Sequence, residues 1–280
     1  MIYSFLLIGQ SNMAGRGDLK EVSPISDTRL LMMRNGRWQP LHEPVSSDRP
    51  MAGASLGVSF AKRFIEEHPG DSAALIPCAD GGTTLQEWHK GEPLYEHAVF
   101  CARQAQRNSR LTAILWHQGE SDTLPEQYSS YRIRLEEMIT ALKEDIGADI
   151  PVLMGALGEY LSYMIYDEKY QNYGFVNQQL IECAQNNPDY YYVSAKGLSC
   201  NRDMLHFSAK ALREFGLRYY TAFSQKRSIF DEEITESLLL PAAEESGFLK
   251  NMERLCAEYK AGRLSREAFE TAKAELVRNA

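Results

Sequence analysis

The chain has 280 residues, of which 44% are hydrophobic and 24% charged. Those fractions exclude a disordered or collagen-like polypeptide and leave room for one large α/β domain or two smaller ones. A net charge of −8 argues against general binding to nucleic-acid phosphates or to an anionic membrane, so neither partner is expected.

Five short, near-continuously apolar runs read as strands buried on both faces: residues 2–8 (IYSFLLI), 73–77, 112–116, 151–156 and 190–194. Segments with helical spacing lie at 56–67, 95–108, 126–144, 168–185 and 208–225. Strand and helix in alternation imply a parallel sheet between helix layers. The expected fold is a three-layer α/β/α sandwich of the flavodoxin-like kind, with a five-stranded parallel sheet, over residues 1–228. One insertion breaks the alternation. Residues 29–41 place apolar stretches on either side of Asn35-Gly36, the strongest two-residue hairpin signal. A small hairpin beside the sheet, near the first polar loop, is expected there.

Residues 229–280 differ in character. They carry 11 acidic against 7 basic side chains, half of the net charge. An acidic patch at 231–233 and a Leu run ending at Pro241 precede two amphipathic helices, 247–261 and 265–278. Gly262 suits the stop of the first helix and Ser265 the N-cap of the second. The pattern EYKAGRLSREAFETAKAEL resembles the C-terminal helical hairpin called SHOCT, a second unit through which a homo-oligomer could assemble.

Cys78, Cys101, Cys183, Cys200 and Cys256 are odd in number and scattered, with no CxxC and no Cys/His cluster. His42, His68, His89 and His97 lack ligand spacing. Neither a disulfide framework nor a metal site is expected, Cys78 reads as an inert buried thiol, and free thiols suit a reducing cytoplasm. The apolar run at 3–8 is too short for a signal peptide and leads straight into a polar motif. No stretch approaches the ~20 apolar residues of a membrane helix.

In an open α/β sheet, ligands bind beyond the carboxyl ends of the strands. Four polar, Gly-rich segments follow strands here: GQSNMAGRG from Gly9, DGGTT from Asp80, HQGESD from His117 and NRDMLH from Asn201. Ser11 sits between a strand end and a helix start, where a serine is either an N-cap or an exposed nucleophile. Asp203 and His206, three apart, are either a turn cap with a surface histidine or an acid–base pair directed at Ser11. The order Ser near one end and Asp-x-x-His near the other, all at strand ends, favours the triad. A tetrahedral oxyanion would need donors, and the candidates are the N–H of Ser11, the N–H of Gly81 (or Gly82) and the side-chain amide of Gln118.

GQSNMAGRG, DGGTTLQEW, WHQGESD and the terminal DxxH resemble the SGNH/GDSL hydrolase superfamily, and within it the carbohydrate esterase family 6 and sialate O-acetylesterase-like branch, over about residues 1–225. The resemblance implies a metal-independent, cofactor-free serine esterase that removes acetyl groups from sugar hydroxyls. It assigns Ser11 as nucleophile, His206 as general base and acid, Asp203 as its orienting partner, and Gly81 and Gln118 as oxyanion donors. The wider superfamily has Asn where Gln118 stands. Gln10, Asn12 and Glu120 are expected to tie the loops together. Arg16 suits either an acidic sugar or a structural ion pair, and His117 is expected to support the motif without a carboxylate of its own. Trp38, Trp88 and Tyr160 are candidates for stacking on a sugar, with core packing the commoner fate of such residues. The rival readings are a lipid esterase or thioesterase on the same scaffold, a non-catalytic saccharide-binding protein, and an assembly platform acting through the C-terminal helices.

Overall fold

The computed structural model describes residues 1–164, 168–233 and 247–279. The expected Leu run ending at Pro241 lies outside the described residues. The strands are β1 (Ile2–Gly9), β2 (Leu30–Arg34), β3 (Arg37–Pro40), β4 (Ser72–Pro77), β5 (Arg110–His117), β6 (Val152–Gly155) and β7 (Tyr190–Val193). They form a seven-stranded sheet in the order β3-β2-β4-β1-β5-β6-β7, parallel throughout except for the β2–β3 pair. β1 is central, and Phe5, Leu6, Leu7 and Ile8 are all essentially inaccessible, as a strand covered on both faces requires.

The helices are α1 (Ser11–Ala14), α2 (Leu56–Glu67), α3 (Pro93–Ala105), α4 (Pro125–Tyr128), α5 (Tyr131–Ile146), α6 (Glu168–Gln171), α7 (Tyr173–Asn186), α8 (Ala209–Gln225), α9 (Gly247–Lys260) and α10 (Arg266–Asn279). α2 and α8 pack together on one side of the sheet, and α3, α5 and α7 form the other layer. Phe5 of β1 meets Phe60 and Phe64 of α2 and Phe223 of α8 edge-on, with ring centroids 4.8, 5.2 and 5.8 Å apart. Ser55 caps α2 by accepting the Gly57 N–H, and Ser208 caps α8 by accepting the Ala211 N–H.

The sheet has seven strands rather than the expected five because the 29–41 hairpin is part of it. Its Asn35-Gly36 turn has φ of 52° and 70°, as the turn type demands. β2 then pairs in parallel with β4, Leu30 to Met32 opposite Ala73 to Leu75, which buries Leu30, Met32 and Met33 at the sheet edge. β4 therefore separates the hairpin from β1 and its polar loop. The segment after it, residues 41–55, returns to that loop through Ala54 N–H to Gly17 O, 2.8 Å. Two expected helices are interrupted. The 126–144 segment breaks at Ser129-Ser130 into α4 and α5, because Tyr131 turns inward to bond Gln118. The 168–185 segment breaks at Asn172.

The chain stays with the sheet beyond residue 228: Ile229 N–H donates to Tyr192 O, and Ser194 N–H to Ile229 O. The first C-terminal helix ends in a Schellman turn. Gly262, at φ 69°, donates to Tyr259 O, and Arg263 N–H to Glu258 O. Ser265 Oγ accepts the Ala268 N–H at the start of α10. Met252, Cys256 and Phe269 of this pair close over Met204 of the body as a second small core, flanked by Tyr163, Met164 and Cys200. The apolar faces of the two helices thus pack in part against the body of the chain. No described helix is long and apolar enough to cross a membrane.

Truncating a buried aromatic costs about 3–5 kcal/mol. Phe269→Ala is therefore expected to undock α9 and α10, and hydrogen exchange would show their amides exchanging faster while those of β1 and β5 stay protected. Unchanged exchange in α9 would mean that this cluster does not hold the pair down.

Candidate active site

The carboxyl ends of β4, β1 and β5 lie side by side, and hydrogen bonds stitch their loops together. Gln10 N–H donates to His117 O (2.9 Å), and Asp80 N–H to Gly9 O (3.0 Å). Gly9 makes this approach feasible: it sits at φ 125°, and a Cβ there would lie 2.1 Å from His117 O. The chain then turns into α1, whose first residue is Ser11.

Ser11 Oγ lies 3.0 Å from His206 Nε2, although the two residues are 195 apart in sequence. His206 Nδ1 lies 2.7 Å from Asp203 Oδ2, and the other Asp203 oxygen accepts the N–H groups of Leu205 (2.9 Å) and His206 (3.0 Å). Burial pushes the Asp203 carboxyl up, but hydrogen bonds from the His206 ring and the Leu205 backbone outweigh it and hold the group below the usual carboxylate range. An ionised Asp203 fixes the proton on Nδ1 and leaves the Nε2 lone pair facing the Ser11 hydroxyl. The turn carrying both residues is closed by Asn201 N–H to His206 O (2.7 Å) and Met204 N–H to Asn201 O (3.0 Å), with Met204 at φ 55°.

Asn12 holds this turn against α1. Its Nδ2 donates to Glu120 Oε1 (2.6 Å) and Leu205 O (3.3 Å), and its Oδ1 accepts the Phe207 N–H (3.0 Å). Gln10 Oε1 accepts the Gly119 N–H (3.3 Å). His117 does have a carboxylate neighbour, with Glu120 3.7 Å from Nδ1, while its Nε2 lies 3.1 Å from Ala156 O. Burial holds His117 below the usual histidine range, so it sits in the core as neutral imidazole.

The expected oxyanion donors are arranged differently. Gln118 is fully buried, and its Nε2 donates to Thr83 O (3.0 Å) and Asp122 Oδ2 (2.6 Å) while its Oε1 accepts the Tyr131 hydroxyl (2.9 Å). Both amide hydrogens are used, so Gln118 has no donor left for an oxyanion. Gly81 does lie against Ser11, with an added Cβ 3.4 Å from Ser11 Cβ, but its N–H donates to Asp48 Oδ2 (2.9 Å). Asp48 is in turn held by Arg16 through a buried two-pronged pair at 2.5 and 3.3 Å. Arg16 therefore makes the structural ion pair and is not free for an acidic sugar. Gly82 N–H has no protein acceptor among the described residues.

None of the three aromatic candidates presents a sugar platform. Trp88 is buried edge-on to Trp116 and donates to Thr83 Oγ1. Tyr160 is buried edge-on to Phe207, and Trp38 bonds Asn108 from the far edge strand. Asp48 and Tyr131 are the residues that sequence reading missed. Nothing in the motif SSDRP marks Asp48, because its partners Arg16 and Gly81 are brought to it only by the fold. The structure also overturns the expectation of no Cys/His cluster. His97 and Cys101 are one turn apart on α3, and the fold sets Cys78, at the end of β4, beside them. The i,i+4 spacing of His97 and Cys101 was the available signal.

Residues 2–225 match the family described as carbohydrate esterase, sialic acid-specific acetylesterase. A protein of Arabidopsis thaliana named as a probable carbohydrate esterase is 30% identical over 243 residues, 78% of this chain and 89% of its own length. An X-ray structure from the same plant superposes with a TM-score of 0.72 at 27% identity, covering 80% of this chain and 98% of that one. Two further structures share the fold: NanS, with TM-score 0.64 at 17% identity over 80% of this chain and 97% of its own, and a carbohydrate acetylesterase from Xanthomonas citri, with TM-score 0.57 at 15% identity over 78% and 55%. The matched stretch runs from β1 to the end of α8 and holds all four polar loops, and the chain belongs to this family of carbohydrate esterases, carboxylic ester hydrolases acting on acetylated carbohydrates.

Proposed function

We propose that the chain removes O-acetyl groups from a small saccharide of the sialic acid or xylo-oligosaccharide type through an acetyl–serine intermediate. The observation that carries the reading is the hydrogen-bonded series Asp203–His206–Ser11, at 2.7 and 3.0 Å. Five free cysteines fit a reducing compartment, and the reading places the reaction in the cytoplasm.

In this scheme Ser11 Oγ attacks the acetyl carbonyl carbon as its proton passes to His206 Nε2. Asp203 holds the ring and stabilises the imidazolium. The tetrahedral oxyanion rests on the N–H of Ser11 and on the Gly81-Gly82 loop, where Gly82 offers an unused N–H and Gly81 offers one only on releasing Asp48. Collapse breaks the bond to the sugar oxygen, which takes the proton from His206. Water, deprotonated by His206, then attacks the acetyl–Ser11 carbonyl, and acetate leaves with Ser11 restored.

Acetate release from acetylated sialic acids, xylo-oligosaccharides and simple monosaccharides tests the substrate class. Activity is expected to fall from acetyl to longer acyl esters, and a rise with chain length would replace the sugar reading with a lipid one. Ser11→Ala is expected to lower kcat by about 10⁶-fold and to abolish labelling by an organophosphonate. Asp203→Asn is expected to keep the fold and lower kcat by about 10³–10⁴-fold, because the amide no longer fixes the ring tautomer. Undiminished activity in Ser11→Ala would overturn the mechanism. Gln118→Ala separates support from chemistry. Loss of its buried hydrogen bonds is expected to cost about 1–3 kcal/mol in denaturant unfolding. A fall of about 10²–10³ in kcat at unchanged stability would instead make Gln118 an oxyanion donor.

A further inference from the structure

A second group of reactive side chains lies outside the Ser11 relay. Cys78 is the first residue after β4 and is buried, His97 is exposed on α3, and Cys101 is half-buried one turn further along the same helix. The two Sγ atoms and a ring nitrogen of His97 all lie within 4.8 Å of one another. Cys101 Sγ is 3.6 Å from His97 Nε2. From bond lengths of about 2.3 Å to sulfur and 2.0–2.1 Å to nitrogen, ligands around a tetrahedral zinc stand roughly 3.5–3.8 Å apart. The Cys101–His97 pair already has that spacing, and closing the rest takes about 1 Å of side-chain rotation.

We propose that Cys78, His97 and Cys101 bind a thiophilic divalent cation of the zinc class, with water as the fourth ligand. Two thiolates and a neutral imidazole are the donor set that such a cation selects, and their two negative charges neutralise it in a partly buried position. The exposed edge at His97 supplies an entry path and room for the water. Binding would clamp α3 to the end of β4, two residues ahead of Asp80 and the loop that lies against Ser11.

The test is spectroscopic and independent of esterase activity. Full-length reduced protein, freed of metal with a chelator, is titrated with Co²⁺ in the absence of oxygen. One equivalent is expected to produce a thiolate-to-cobalt charge-transfer band and the strong visible bands of a tetrahedral site, and Zn²⁺ is expected to displace them. Zn²⁺ is also expected to raise the melting temperature of the parent chain. Cys101→Ser and His97→Ala, both at accessible positions, are each expected to weaken binding at least tenfold and to abolish the melting shift, whereas Cys200→Ser retains both. Absence of the bands, their survival in both Cys101→Ser and His97→Ala, or a Cys78–Cys101 disulfide that persists in reductant would overturn the proposal.

Discussion

The relay between Ser11 and His206 depends on a buried amide next to it. Two residues 195 apart in sequence meet at 3.0 Å only if the turn carrying His206 is fixed against the first turn after β1. Asn12 does this with both ends of its side chain, taking the Phe207 N–H and giving its own hydrogens to Leu205 O and Glu120. Glu120 lies in the loop after β5, so one side chain ties three strand ends together. Two of the bonds, to Glu120 and from the Phe207 N–H, are buried, and leaving either group unpaired would cost about 1–3 kcal/mol. The geometry of the relay is thus enforced by desolvation costs around Asn12, and the single bond between His206 and Ser11 does not have to hold the two halves of the chain in place.

Beside this lies a constraint of the opposite kind. Arg16 and Asp48 form a buried pair whose free face takes the Gly81 N–H. Arg49 reinforces the same loop, bonding Asp80 and the Gly81 carbonyl. A buried ion pair contributes little net stability, but removing one partner strands the other, so the arrangement fixes position more than it adds energy. Its effect here is to hold the Gly81-Gly82 loop at a set distance from Ser11 while occupying one of the two amides. The loop beside Ser11 is therefore held in place, with the Gly81 N–H already engaged by Asp48.

Much of this was legible in the chain. The apolar runs locate five of the six parallel strands to within two residues, and helical spacing places α2 to the residue, because strand and helix periods are properties of one segment. The four polar loops followed from the strand ends. What was not legible depends on which segments become neighbours. Residues 29–41 announce a hairpin, but nothing in them says that Leu30–Met32 will find the free edge of β4. Gln118 belongs to a motif, yet its direction is set by Tyr131, Thr83 and Asp122 from other segments. Cys78 looked inert because its partners lie on α3, about twenty residues later in the sequence.

The C-terminal helices bear on the site through one residue. Met204 lies between Asp203 and His206 at φ 55°, a conformation that costs a non-glycine residue about 1–3 kcal/mol. The same residue is only 2% exposed, covered by Met252, Cys256 and Phe269. Burying a methionine side chain returns about 1.5–3 kcal/mol, which is the size of the backbone cost. The strained turn that aims His206 at Ser11 is therefore offset from outside by α9 and α10, which lie beyond the stretch matched to the family. In this chain the tail stands in direct contact with the turn that carries Asp203 and His206, so its docking and the geometry of that turn are one energetic problem.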